Sequence, residues 1–161
     1  MSRRWVVNAS PLILLGKVGR VELLWQLCDE LIVPQAVLRE VGGRPEGQGV
    51  AQELAKRSTV TISGECAVPT SIRAWDLGPG ESQVLAIAAS KPVSRGVLDD
   101  REARRCAAAC GIPVIGTLGV VLRAQNKGIL RNAQDVINDL RTVGLYVTDD
   151  LITAAMARWR D

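Results

Sequence analysis

This 161-residue sequence predicts an α/β fold, a three-layer α/β/α sandwich around a central, mainly parallel sheet. Three observations predict it. Short unbroken apolar runs recur (Trp5-Val6-Val7, Leu31-Ile32-Val33, Val97-Leu98, Val114-Ile115), as in strands buried on both faces. Amphipathic stretches of helical length separate them, and that alternation points to parallel pairing with helices over both faces. There is no internal repeat, no low-complexity tract and no linker long enough to divide the chain, so residues 1–161 read as one domain with room for a proper core.

The elements follow in order. Trp5 to Val7 is the first strand. Asn8 ends it, Ser10 is the expected N-cap of the next helix, and Pro11 suits a first helical position because its missing N–H would have no partner there. That helix runs from Pro11 to about Val18 and stops near Gly19; Val21 to Leu27 continues as a second. Glu30 to Val33 is a strand ended by Pro34, and Gln35 to about Val41 is a helix closed by Gly42-Gly43-Arg44-Pro45. Residues Gly42 to Glu46 are expected to be a mobile surface loop. Gly49 to Arg57 has a helical pattern and Val60 to Ile62 a strand pattern, followed by a loop through Pro69 to Gly78. Gly78-Pro79-Gly80 breaks the chain before a helix from Glu81 to about Ser90. Arg95 to Leu98 is a strand running into Asp99-Asp100, and Arg101 to Cys110 a helix. A short strand lies within Gly111 to Gly116, and Thr117 caps a helix reaching about Lys127. Ala133 to Val143 and Asp149 to Arg160 are further helices, with an edge strand at Leu145-Tyr146-Val147 between them.

Composition narrows the chemistry. No apolar run approaches the roughly 20 residues a membrane helix needs, and the N-terminus lacks the apolar stretch of a signal peptide, so the expected compartment is the cytoplasm. With no histidine, Ser-His-Asp and Cys-His catalysis and His-ligated metal sites are excluded. Cys28, Cys66, Cys106 and Cys110 are scattered; Cys106 and Cys110 share a helical face, but nothing completes a zinc tetrahedron around them. Acid–base and metal chemistry therefore fall on carboxylates, and an all-oxygen site suits Mg²⁺ or Mn²⁺. The net charge is +3 and arginine heavily outnumbers lysine, which permits a nucleic-acid partner through bidentate phosphate contacts.

Carboxylates occur where an α/β sheet places chemistry, at the carboxyl ends of strands. Asn8 follows the first strand, and Asp99 and Asp100 follow the strand ending at Leu98. Glu81 lies in the first turn of its helix, and Glu40 borders the apolar face of another. Each has a structural alternative: pairing of Glu40 with Arg39 or Arg44, a helix-dipole role for Glu81, an N-cap role for Asp99 or Asp100. Gathered together, such acids repel one another, and a divalent cation relieves that repulsion while serving phosphoryl chemistry. Arg101, Arg104 and Arg105 follow on one helix as a basic stripe suited to an RNA or DNA backbone, with pairing to Glu102 as the alternative. Arg158 and Arg160 make a second basic end.

Five segments in order resemble the PIN domain, and within it the PIN-like proteins similar to VapC-type toxins. They are Val6-Val7-Asn8-Ala9-Ser10-Pro11-Leu12-Ile13, the stretch Val33 to Val41, Gly78-Pro79-Gly80-Glu81 on through Ala88, Val97-Leu98-Asp99-Asp100-Arg101-Glu102-Ala103-Arg104, and Gly111 to Gly119. The resemblance implies a metal-dependent ribonuclease in which an acidic quartet binds Mg²⁺ or Mn²⁺. Carried over, the quartet is Asn8, Glu40, Glu81 and Asp100, with Asp99 as neighbour or substitute for Asp100. Ser10 matches a supporting hydroxyl, and Thr117 is a supporting candidate after the last strand. The resemblance also implies a cognate antitoxin protein and a homodimer.

The departure is Asn8, where most active members of that family carry Asp. An amide oxygen can still ligate a metal but brings no charge, so weaker metal binding or lost catalysis is expected. Two functions from different classes follow: a toxin-type ribonuclease, or a catalytically weakened module that binds RNA or a partner. A third reading, an α/β phosphoacceptor using Asp99 or Asp100, lacks any glycine-rich phosphate loop after the first strand.

Overall fold

The computed structural model of the protein describes residues 2–158. Its strands are β1 (Arg4–Val7), β2 (Glu30–Pro34), β3 (Val60–Ser63), β4 (Ser94–Val97) and β5 (Val114–Ile115). All pair in parallel, in the order β3-β2-β1-β4-β5. Val6 of the central β1 lies between Ile32 of β2 and Gly96 of β4. Helices cover the sheet, giving the three-layer α/β/α sandwich that the alternation of apolar runs predicts. They are α1 (Ala9–Lys17), α2 (Leu23–Gln26), α3 (Gln35–Gly42), α4 (Gln48–Lys56), α5 (Thr70–Arg73), α6 (Pro79–Ser90), α7 (Arg101–Ala109), α8 (Thr117–Asn126), α9 (Ala133–Thr142) and α10 (Asp149–Arg158).

One buried apolar cluster joins the layers. Val6, Val7, Leu31 and Ile32 of the central strands meet Leu12 and Leu15 of α1, Val84, Leu85 and Ile87 of α6, and Ile137 of α9. Each fully buried aliphatic chain of this size contributes about 1.5–3 kcal/mol. The buried flank of α6 lies against β1, β2 and β4, while α1, α2 and α9 each pack on α8. Two thiols belong to this interior. Burial is the main reason that Cys28 is pushed up to about 12 and Cys106 to about 11, so both stay protonated and inert at neutral pH.

Several local expectations change. The N-cap of α1 is Asn8, not Ser10, and the helix begins at Ala9, which puts Pro11 in the first turn, where it needs no hydrogen-bonding N–H. The expected helix from Val21 to Leu27 contracts to α2. Pro34 closes β2 from inside rather than after it, and the loop from Pro69 to Gly78 contains α5. The segment around Gly42 to Glu46 leads into a 3₁₀ turn, Pro45–Gly47, packed against α1 and α3. Gly47 is required there, since a Cβ would collide with the Val41 carbonyl. Thr117 is the first residue of α8 and Gly116 its N-cap. Leu145-Tyr146-Val147 alternates in burial as a strand would, but pairs with no strand among the described residues. Arg160 lies outside the described residues.

The strand order fixes where a site can form. The chain moves from β1 to β2 and β3 on one side, then returns across the sheet to β4 and β5 on the other. The connections leaving β1 and β4 therefore part, and a crevice opens at their carboxyl ends, the usual place for a ligand in an open α/β sheet.

Candidate active site

Asn8 and the Asp99-Asp100 pair leave the two strands at that crevice. The Asn8 N–H donates to the Val97 carbonyl at 2.9 Å, which continues the β1–β4 ladder and fixes the backbone of Asn8. Its φ and ψ of −87° and 171° are those of an N-cap, yet its side chain makes no capping bond. Instead Nδ2 approaches Glu81 Oε1 at 3.5 Å, at the limit of a hydrogen bond. Asn8 is 5% exposed, so a nearly buried amide that would ordinarily serve the helix is directed toward another residue.

Glu81 reaches it because of Gly78-Pro79-Gly80. Gly78 is the N-cap of α6 and Pro79 its first residue, which brings Glu81 into the first turn. A Cβ at Gly80 would lie 3.0 Å from Asn8 Oδ1 and 3.9 Å from Glu40 Oε1. Both oxygens thus flank the space that Gly80 keeps empty, and a Cβ at Gly78 would crowd Glu81 Oε2 at 2.7 Å. Glu40, on α3 beside the buried Val37 and Val41, is half-exposed and lies 3.9 Å from the Arg44 guanidinium.

The two aspartates diverge. Asp99 accepts two bonds from Thr117, from its N–H at 2.8 Å and its hydroxyl at 2.6 Å. Thr117 is fully buried. Gly116 has no side chain with which to cap α8, and Asp99 satisfies that terminus from the preceding crossover. Asp100 is the N-cap of α7, accepting from the Ala103 N–H at 2.9 Å through Oδ2. Its Oδ1 makes no hydrogen bond among the described residues. Both oxygens of Asp99 thus accept from Thr117, whereas Asp100 keeps one oxygen without such a bond.

These residues share one groove of about 1160 Å³. Asn8, Ser10, Glu40, Glu81, Asp99 and Asp100 line it, with Arg44, Arg101, Arg104 and Arg158 alongside. Arg101 is exposed, and Arg104 is drawn in toward the Leu98 carbonyl at 3.5 Å. Arg105 does not line the groove; it pairs with Glu102 at 3.0 Å on the surface. Thr117 lies behind Asp99 rather than in the groove. The far wall comes from the chain after α9, including Leu145, Tyr146, Val147 and Ala155. Sequence reasoning named Arg44 as a partner for Glu40, the pairing seen here, but missed the far wall, which reaches the groove only through folding.

The chain is matched over residues 4–161 by the model of the DUF3368 family, a PIN domain. It belongs to the PIN domain family. No curated protein matches it. PIN domains are generally nucleases that use divalent metal ions, and RNA is the substrate this membership suggests. No helix among the described residues is long and apolar enough to cross a membrane.

How this PIN domain suits such an ion follows from its donors. Among the described residues no three His, Cys, Asp or Glu side chains form a group able to hold a metal directly. The donors lining the groove are instead oxygens spread around Gly80 and Asp100. Such a set fits a hydrated Mg²⁺ or Mn²⁺, which keeps several waters and needs one or two carboxylates together with substrate phosphate. It does not fit a close cage of protein ligands.

Proposed function

We propose that this PIN domain is a Mg²⁺- or Mn²⁺-dependent endoribonuclease of the toxin–antitoxin type, with its site at the carboxyl ends of β1 and β4. The observation that carries the reading is the approach of Asn8 and Glu81 at 3.5 Å, with Glu40 Oε1 flanking the same gap beside Gly80. Glu40 and Glu81 would hold the ion, Asp100 would reach it through a water at its Oδ1, and Asn8 Oδ1 would be a neutral ligand. When bound, the ion supplies Lewis-acid polarisation of the phosphate and makes a nearby water more acidic.

The chain's own groups supply the rest. Arg101, Arg104 and Arg158 neutralise backbone phosphates and position the strand without reading its bases. Asp100 Oδ1, which its capping role leaves without a partner, accepts the proton of the attacking water. Hydrolysis then adds that water across one P–O ester bond, and the proton is returned to the leaving oxygen through solvent. The toxin role, a cognate antitoxin protein and a homodimer follow from the resemblance to VapC-type proteins.

Asn8 favours a second reading, a module that binds RNA but cleaves weakly. Its amide tethers Glu81 with no charge of its own, so the site holds its shape with less attraction for a cation. Incubation of the purified protein with structured RNA and Mn²⁺, beside Glu40→Gln, Asp100→Asn and Asn8→Asp variants, separates the two. The nuclease reading expects the wild type to cut and the first two variants to lose about a hundredfold or more. Cutting by Asn8→Asp alone would establish the weakened module, and undiminished cutting by both carboxylate variants would misplace the site.

A further inference from the structure

Tyr146 is 97% exposed and is the chain's single tyrosine. Its neighbours explain how it is held there. Gly144 takes a φ of +117°, a left-handed conformation that lets the chain turn sharply after α9. Leu145 is then buried, and its N–H donates to the Leu140 carbonyl at 3.0 Å. Val147 packs against the core. The segment is pinned on both sides of Tyr146, and burial alternates in–out–in along it, leaving the tyrosine side chain exposed. No packing role accounts for it.

The ring's location gives it a use. Tyr146 lines the groove that holds Glu81 and Asp100, on the wall contributed by the chain after α9. Arg101, Arg104 and Arg158 line the same groove. An exposed aromatic side chain lining one groove with guanidinium groups matches single-stranded nucleic acid, whose phosphates meet the cations while an unpaired base stacks on the ring. A duplex offers no free base face to such a platform.

We infer that Tyr146 is a positioning residue that stacks one unpaired base of a single-stranded RNA and so registers the neighbouring phosphate against the carboxylates. This rests on the nuclease reading and specifies the substrate as single-stranded at that position. Because the arginines contact only the backbone, the stacked base supplies registration without sequence readout, so every base is accepted there.

The test is fluorescence anisotropy of a labelled single-stranded RNA ten-mer in EDTA, which prevents cleavage. Tyr146→Ala is expected to weaken binding by about tenfold or more, and Tyr146→Phe to retain it. In a series with one abasic nucleotide moved along the ten-mer, the wild type is expected to lose a similar factor at one position and Tyr146→Ala to be insensitive there. That insensitivity is a coupling which general destabilisation would not produce. Wild-type RNA binding and cleavage with Tyr146→Ala indistinguishable from it would overturn the inference and leave the nuclease reading intact. Equal affinity of the wild type for single strand and duplex would also overturn it. If the wild type neither binds nor cleaves RNA, both fall together.

Discussion

At the corner between β4 and α8, Asp99 has both carboxylate oxygens hydrogen-bonded by the fully buried Thr117, at 2.8 and 2.6 Å. At the corner between β1 and α6, Glu81 meets Asn8 at 3.5 Å and Glu40 flanks the same gap. Both corners lie at the carboxyl edge of the sheet and line one groove, yet they use their acids differently. A carboxylate whose oxygens are all accepting short bonds from the chain is part of the framework. One with oxygens still unpartnered beside a groove is available to a ligand. Asp100 stands between these cases, one oxygen capping α7 and the other without a bond.

Substitutions can break or sharpen this contrast. The largest stability effect is expected at Asp99. Asp99→Ala would strand the N–H and hydroxyl of Thr117 in the interior, at a cost of about 2–4 kcal/mol, measured by urea denaturation. A cost near zero, together with loss of cleavage, would move Asp99 from framework to site.

Gly80→Ala is expected to do the reverse. Its Cβ would lie 3.0 Å from Asn8 Oδ1 and force that side chain to shift, lowering cleavage about tenfold to a hundredfold. Gly80 is the second residue of α6, so the gain in helix propensity is smaller than the roughly 1 kcal/mol of a helix interior and offsets only part of the crowding. Thermal denaturation and a cleavage assay on the same preparation check the pair of effects.

Smaller changes are expected from single bonds. Thr117→Val removes the hydroxyl bond to Asp99 but keeps the N–H bond, costing about 1–2 kcal/mol with cleavage retained. Asp100→Ala removes one helix cap, about 1 kcal/mol, yet is expected to abolish cleavage. Equal stability losses for Asp99→Ala and Asp100→Ala would erase the distinction between the corners.

The sandwich was legible because its signals are local. Valine and isoleucine runs flanked by turn residues identify strands wherever both faces are covered, as at Leu31-Ile32-Val33. The cap of α1 was harder, since Asn8 and Ser10 are both good caps and only the ladder bond from Asn8 to Val97 selects the first. Asp99 and Asp100 are adjacent and chemically alike. Their roles part only through Thr117, eighteen residues on. The alternation of Leu145-Tyr146-Val147 reads as an edge strand, but a strand needs a partner ladder; among the described residues the segment pairs with no strand and lines a groove instead. The acids could be placed at one sheet edge from the sequence, with Arg101 and Arg104 following Asp100 on the same helix; the far wall could not, because it arrives from the chain after α9, far along the sequence.

The central claim is that the space bounded by Asn8, Glu40, Glu81 and Asp100 receives a divalent ion. Anomalous diffraction from crystals soaked in Mn²⁺ tests it most directly. A peak is expected in that space, stronger at the same Mn²⁺ concentration in Asn8→Asp. A peak only elsewhere, such as beside the exposed Asp149-Asp150 pair, or none at a Mn²⁺ concentration that supports cleavage, would contradict it.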